Sequence, residues 1–288
     1  MTTTEAMTAT KGERDIVFSA ADFQRVRGMI RAKAGIDLNP GKQNMVYSRL
    51  SRRLRERGMD SFGAYLDSLA GDHDPEWQEF INCLTTNLTS FFRENHHFEM
   101  LARHLQAAGA RAAQAGPLRI WSCAASSGEE PYSIAMTALE AGGPRVAIDA
   151  TDIDTRVLAT AAAGVYPLEA VQGLGEARLR RFFLRGSGAN AGKAKVRPEL
   201  ASMVSLRPLN LLSGGWQMQP YDVIFCRNVM IYFDRPTQRQ VLERLCACLK
   251  PGGLLFVGHS ENFSEQRDLV SLVGKTAYRR TGGEGVPA

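Results

Sequence analysis

Residues 118–135 read LRIWSCAASSGEEPYSIA. An apolar run, Leu118-Arg119-Ile120-Trp121, passes through small residues into a helical pattern near Pro131. A strand entering a helix through such a turn is the opening unit of folds in which a parallel sheet carries helices on both faces. The spacing predicts a strand over 118–123 and a helix over 131–140. Working outward, short apolar runs bounded by turn residues predict strands over 145–151, 203–207, 221–226 and 254–258, as expected of parallel strands buried on both faces. Helical patterns fill 155–163 and 236–249, so the fold class is α/β with a doubly wound sheet. Residues 166–200 break the alternation. They hold a short helix near 176–183 and a Gly-rich basic stretch, RGSGANAGKAKVR (185–197), and read as a small insertion.

On the N-terminal side, 19–105 reads helical. Ser19 is a candidate N-cap ahead of Asp22, Phe23, Val26 and Ile30. Asn39-Pro40-Gly41 is a turn. A helix over 43–57, ended by Gly58, places Val46, Tyr47, Leu50 and Leu54 on one face and spreads Arg49, Arg52, Arg53 and Arg55 over the other. Further helices are expected over 61–69 and from Asp74-Pro75. The polar residues 1–18 are expected to be a disordered tail. The chain thus divides into a tail (1–18), a helical domain (19–90) and an α/β domain (91–284) carrying the insertion at about 166–200.

The 288 residues are 44% hydrophobic and 23% charged, ordinary for a globular protein. No apolar run approaches the roughly 18–20 residues of a membrane span, and the start lacks the apolar core of a secretory signal. Five cysteines with no CxxC pair fit free thiols in a reducing cytoplasm, with neither a disulfide framework nor a metal site. The net charge of +5 is unevenly spread. Between Arg25 and Arg57 ten bases face two acids; from Asp60 to Glu79 there are six acids and no base; from Arg178 to Arg197 there are seven bases and no acid. Such blocks point to charged partners.

The turn after the first strand is a poor phosphate site. Only Gly128 is present where a dinucleotide fingerprint needs three glycines, no P-loop lysine follows, and Glu129 and Glu130 would repel phosphate. Acids there suit a cationic amine or sugar hydroxyls. The second strand ends in ATDID (150–154), and Asp152 lies 152 − 128 = 24 residues after Gly128, where related folds hold ribose. Ribose, an amine and no phosphate describe S-adenosylmethionine (SAM). The plainer alternative is that the acids only cap helices. After the fourth strand the chain reads YDVIFCRNVMIYF (221–233), with Arg227, Asn228 and Tyr232 set in an apolar run. It lacks the Pro-Pro pair of nucleic-acid amino methyltransferases, which argues against a base as acceptor.

With these residues in hand, the chain resembles the chemotaxis receptor glutamate methyltransferases, the CheR family. The resemblance rests on TTNLTSFFRE (85–94), AASSGEEPYSIA (124–135), ATDID (150–154), FCRNVMIYFD (225–234) and KPGGLLFVGHSENF (250–263). It implies an all-α N-terminal receptor-docking domain, a Rossmann-like SAM-dependent methyltransferase domain and a small inserted β-subdomain. It implies SAM contacts at Asn87, Thr89, Arg93, Glu130, Asp152, Asn210, Leu211, Arg227 and Asn228, with Glu130 or its neighbour Glu129 on the methionine amine. Arg93 and Tyr232 match the side chains beside the transferred methyl, and S-adenosylhomocysteine is the implied product.

The implied acceptor, a glutamate, is already ionised at neutral pH. No general base is needed, so His96, His97 and His259 are read as helix and loop residues. The implied partner is the acidic cytoplasmic helical domain of chemoreceptors, which suits Arg49, Arg52, Arg53 and Arg55. Some members bind a receptor C-terminal peptide at the β-subdomain, where Gly186, Gly188 and Gly192 suit a hairpin. Nucleic acid is disfavoured because no aromatic residues interleave with the arginines, and membrane insertion is not expected. A catalytically silent SAM-binding adaptor is the competing reading.

Overall fold

A computed structural model describes residues 16–69, 71, 74–112 and 116–281. Its helices are α1 (Ala20–Ala34), α2 (Gln43–Glu56), α3 (Phe62–Ser68), α4 (Glu76–Leu84), α5 (His96–Ala112), α6 (Glu129–Ala141), α7 (Thr155–Ala163), α8 (Leu168–Val171), α9 (Glu176–Phe182), α10 (Pro198–Ala201) and α11 (Arg235–Cys248). Its strands are β1 (Leu118–Ser122), β2 (Val146–Asp152), β3 (Val165–Pro167), β4 (Phe183–Arg185), β5 (Lys193–Val196), β6 (Val204–Pro208), β7 (Tyr221–Cys226), β8 (Leu249–Val257), β9 (Val270–Gly274) and β10 (Ala277–Arg280).

Helices α1–α4 enclose one core. Ser19 caps α1 through a reciprocal pair: its hydroxyl accepts from the Asp22 amide (3.1 Å), and the Asp22 carboxylate accepts from the Ser19 amide (3.0 Å). The expected tail is too long by its last residues. Ile16 is buried and the Phe18 ring lies 4.4 Å from that of Phe62, because two apolar side chains after a polar run gain more by joining the core than by staying in water. Residues 1–15, the rest of that expectation, lie outside the described residues.

The large sheet runs β6-β2-β1-β7-β8-β10-β9, parallel from β6 to β8, with β10 antiparallel to both its neighbours. Strand alternation assigns its two faces. Ile120, Val223, Phe225 and Phe256 pack with α5, α6 and the insertion, while Trp121, Ile224, Cys226 and Val257 pack with α11. The insertion is a three-stranded antiparallel sheet, β3-β5-β4. All five cysteines are free thiols. No helix among the described residues is long and apolar enough to cross a membrane.

Candidate active site

Strand β1 sends its connection through α6 to β2, whereas its other neighbour β7 continues through α11 to β8. The crevice at this switch point lies beyond the carboxyl ends of the strands, where open α/β sheets bind ligands. A cavity of about 310 Å³ opens there. Its floor comes from the strand ends: Cys123 and Ala124 after β1, Asp152 closing β2, Leu209–Leu211 after β6, and Arg227 and Asn228 after β7. The connection between α4 and α5 supplies Asn87, Thr89 and Arg93, and the loop after β7 supplies Tyr232.

Asp152 is buried, and its carboxylate accepts from the backbone amides of Ser126 (2.8 Å) and Asp154 (2.9 Å). Burial pushes its pKa up to about 6, against the pull of those two amides. It makes no ion pair among the described residues, and each oxygen retains acceptor capacity. Asp154 caps α7 and also accepts from Thr85 (2.6 Å) and Asn87 (2.7 Å), which clamps the 85–87 segment onto the end of β2.

Glu130 lines the cavity and Glu129 does not. Successive helix residues point about 100° apart. Glu129 turns away toward Ser127, whose hydroxyl donates to it at 2.7 Å, and burial raises its pKa. The expectation that either acid could face the ligand is therefore corrected in favour of Glu130. Glu130 itself accepts from the Ser122 hydroxyl (2.7 Å) and from the buried Arg227 guanidinium (2.8 Å). Arg227 also donates to the Arg93 carbonyl (2.6 Å) and lies 3.4 Å from Glu94. Burial works to raise the Glu94 pKa, but Arg227, His259 and His97 outweigh it and hold it low. Burial, with Arg227 and His96, drives the His97 pKa down to about 3, so this histidine is a neutral core residue.

The Asn210 amide is spent on structure: Nδ2 donates to the Lys33 carbonyl (2.7 Å) and Oδ1 accepts from the Leu212 amide (2.9 Å). Leu211 lies buried beside it in the cavity wall. Arg93 donates to the Leu88 carbonyl (2.7 Å) and has no ion pair among the described residues. The Tyr232 hydroxyl has no hydrogen bond there either. Both side chains line the cavity, Arg93 bound to a backbone carbonyl and Tyr232 with no partner for its hydroxyl among the described residues.

Two contributions escaped sequence reasoning. Glu261 is buried beneath the loop after β7 and accepts from four backbone amides: Asn228 (3.0 Å), Val229 (3.0 Å), Met230 (2.7 Å) and Gly258 (2.5 Å). It shapes the turn in which Asn228 adopts φ +57°, and so aims Arg227 and Tyr232. Its signal was an acid inside the SENF stretch with no assigned role. The second contribution is a wall from the helical domain, including Ile36, Leu38, Lys42 and Met45. The Asp37 amide donates to the Tyr232 carbonyl (2.9 Å) and Arg31 pairs with Asp234 (2.6 Å).

The arginines of α2 do not form one outward face. Arg53 forks onto buried Glu76 at 2.8 and 2.6 Å, with the Tyr65 hydroxyl on the same carboxylate (2.9 Å). The bonds to Glu76, with a weaker one to Glu56, raise the Arg53 pKa against the pull of burial. Arg49 is half-buried and donates to the Cys83 and Thr85 carbonyls. Only Arg52 and Arg55 of the four stand exposed, Arg52 beside Glu56. The receptor-facing expectation is corrected for Arg49 and Arg53, which the carbonyls of Cys83 and Thr85 at the end of α4 and the carboxylate of Glu76 draw inward.

The cavity fits SAM by the chemistry of its lining. Its volume is in the small-ligand range of roughly 300–1,000 Å³. Asp152 offers an acid with spare acceptor capacity and no cation, Glu130 a second acid, and Leu211 and Ile153 apolar wall. Known proteins agree. A family model described as the SAM binding domain of CheR methyltransferase matches residues 87–279, and one described as the CheR all-alpha domain matches 21–85. The chain is 51% identical over 268 residues to a chemotaxis protein methyltransferase of Klebsiella aerogenes, covering 91% of this chain and 90% of that one. It is 52% identical over 276 residues to chemotaxis protein methyltransferase 2 of Pseudomonas aeruginosa, covering 93% and 95%. With the chemotaxis protein methyltransferase of Escherichia coli it shares 49% identity over 268 residues, covering 91% and 92%. With both domains matched in order over nearly its whole length, the chain belongs to the CheR methyltransferase family.

Proposed function

We propose that this protein esterifies glutamate side chains of chemoreceptor cytoplasmic helices with the methyl group of SAM, working on the cytoplasmic side of the membrane. The observation that carries the reading is the pairing of Arg93 and Tyr232, free of ion pairs and hydroxyl partners respectively, in the same cavity as Asp152 and Glu130. Bound SAM would supply an electrophilic methyl on a sulfonium centre. Asp152 holds ribose hydroxyls, and Glu130, already balanced by Arg227, takes the amine; Asn87, Thr89, Asn210, Leu211 and Asn228 complete the cofactor wall.

The acceptor carboxylate arrives ionised, so no side chain has to remove a proton. Arg93 attracts and orients it, and Tyr232 donates to it. Alignment supplies the acceleration, and orientation alone is worth up to roughly 7–11 kcal/mol. Arg93 must hold the carboxylate loosely, because an ion pair stronger before the transition state than in it slows reaction. Arg52 and Arg55 steer the acidic receptor helix. The edge strand β4, with Leu184 42% exposed, supports a receptor-tail peptide adding there. Calorimetry of tail peptides with the parent chain and Gly188→Asp tests that finer reading.

The experiment is transfer of labelled methyl to a panel of receptor cytoplasmic fragments. Label released as methanol by mild base identifies a carboxyl ester. SAM binding with no transfer to any fragment would favour a silent adaptor.

A further inference from the structure

Where the chain enters α5, Glu94, His96 and His97 bring one carboxylate oxygen and two ring nitrogens to within 4.8 Å of one another. His97 is fully buried, yet its Nδ1 has no hydrogen-bond partner among the described residues, and neither has the buried Oε2 of Glu94. These two atoms lie 3.9 Å apart, too far for a hydrogen bond between them. The opposite end of each group is engaged. Glu94 Oε1 lies 3.4 Å from both Arg227 and His259. His97 Nε2 lies 2.8 Å from the Thr276 hydroxyl oxygen. That hydroxyl has a single proton, which it donates to the Lys275 carbonyl at 2.8 Å. Nε2 is therefore the nitrogen that carries hydrogen, and Nδ1 offers a lone pair on the side of Glu94. Two buried acceptors set opposite one another call for a cation between them. Glu94 and Thr276, which flank His97, both hold positive φ, +58° and +50°. That conformation is uncommon for residues with a β-carbon and an outlier for a β-branched one.

We infer that Glu94 Oε2, His97 Nδ1 and a ring nitrogen of His96 form a binding site for a divalent transition-metal ion, zinc above all. Two imidazoles and one carboxylate suit zinc and leave its fourth position to water. Thr276, bonded to the far nitrogen of His97, fixes the tautomer, as the partners behind metal-binding histidines do. Ligands held about 2.0–2.1 Å from zinc stand roughly 3.3 Å apart, so half-buried His96 closes in by about an ångström. Arg227 sits on the other carboxylate oxygen and keeps its contact. Its charge repels a second cation, which places the site below closed structural zinc sites in affinity. None of the five cysteines takes part.

The probe is the metal alone, added to the full chain after chelator treatment under reducing conditions. Zinc is expected to bind with a Kd of about 1 μM, read by competition with a chelating indicator. Cobalt should give visible d–d bands without a thiolate charge-transfer band. His96→Ala and Glu94→Gln should each weaken zinc binding at least about tenfold, and Thr276→Val, which keeps the side-chain shape but loses the hydroxyl, about tenfold. Cys248→Ser should bind as the parent does. If Glu94→Gln fails to fold once Arg227 loses its partner, His96→Ala and Thr276→Val decide. Zinc binding no tighter than about 1 mM overturns the inference. So does parent affinity in His96→Ala or Thr276→Val, or a cobalt thiolate band that disappears in Cys248→Ser. No arm reads methyl transfer, so the outcome is independent of the proposed reaction.

Discussion

At the scale of single residues, Asp152 is the group whose chemistry is most exposed to test. Its folded pKa of about 6 stands above the ordinary 3.8. Across that window the unfolded chain is ionised while the folded one is protonated, so this group makes the free protein less stable as pH rises from about 4 to 6. Ligand hydroxyls and a cationic sulfur both favour the carboxylate. S-Adenosylmethionine affinity should therefore fall up to about tenfold per pH unit below 6, and binding at pH 6 should release protons. Calorimetry in buffers of different ionisation enthalpy checks this, and Asp152→Asn should flatten the profile. Tyr232→Phe is expected to lower kcat about tenfold or more while S-adenosylhomocysteine affinity stays within about twofold. An equal loss in both would move Tyr232 to the cofactor side. Asp152 was legible in the sequence because its strand end and spacing from Gly128 are local features. The choice between Glu129 and Glu130 was not, since it depends on where Ser127 and Arg227 lie in space.

At the scale of elements, the loop after β7 depends on a carboxylate distant in sequence. Glu261 gathers four amides, and a Cβ on Gly258 would fall 2.3 Å from the Asn228 side-chain nitrogen. Glu261→Gln replaces one acceptor oxygen with a donor facing amides. It should cost about 1.5–3 kcal/mol in urea unfolding and lower kcat through misplaced Tyr232. Gly258→Ala should reproduce both effects, whereas Glu261→Gln with unchanged turnover would show that the loop holds its shape unaided. Strand β7 and helix α7 were read from sequence with their observed limits, because their turn signals are strong on both sides. Strands β9 and β10 were missed: they form an edge hairpin with mixed polar and apolar residues, Ser271 and Leu272 among the exposed ones, which blurs the alternation. The α2 wheel gave the buried stripe correctly but could not show that Glu76 and the end of α4 recruit Arg53 and Arg49.

At the scale of the whole molecule, those arginines divide by task. Arg53→Ala leaves buried Glu76 short of its main partner and should cost about 3–5 kcal/mol of stability. Arg52→Ala with Arg55→Ala should leave the melting temperature unchanged and raise receptor KM at low salt, a difference that fades as salt rises. Thermal melts and salt-dependent kinetics separate the two. The sequence revealed both domains but not their joint ownership of the cavity, since contacts such as Asp37 to Tyr232 join segments with no pattern in common. That seam has a mechanical corollary. The end of α1 is stitched to the acceptor loop through Tyr232 and Asp234, and to the β6 loop through Asn210. A truncation that keeps only residues from 86 onward would strip one side from the cup and slacken the loops that carry Tyr232 and Asn210. Such a fragment should still fold around its sheet, yet hold the cofactor weakly and turn over slowly. Any displacement of the first helix is thereby passed on to two walls of the cavity.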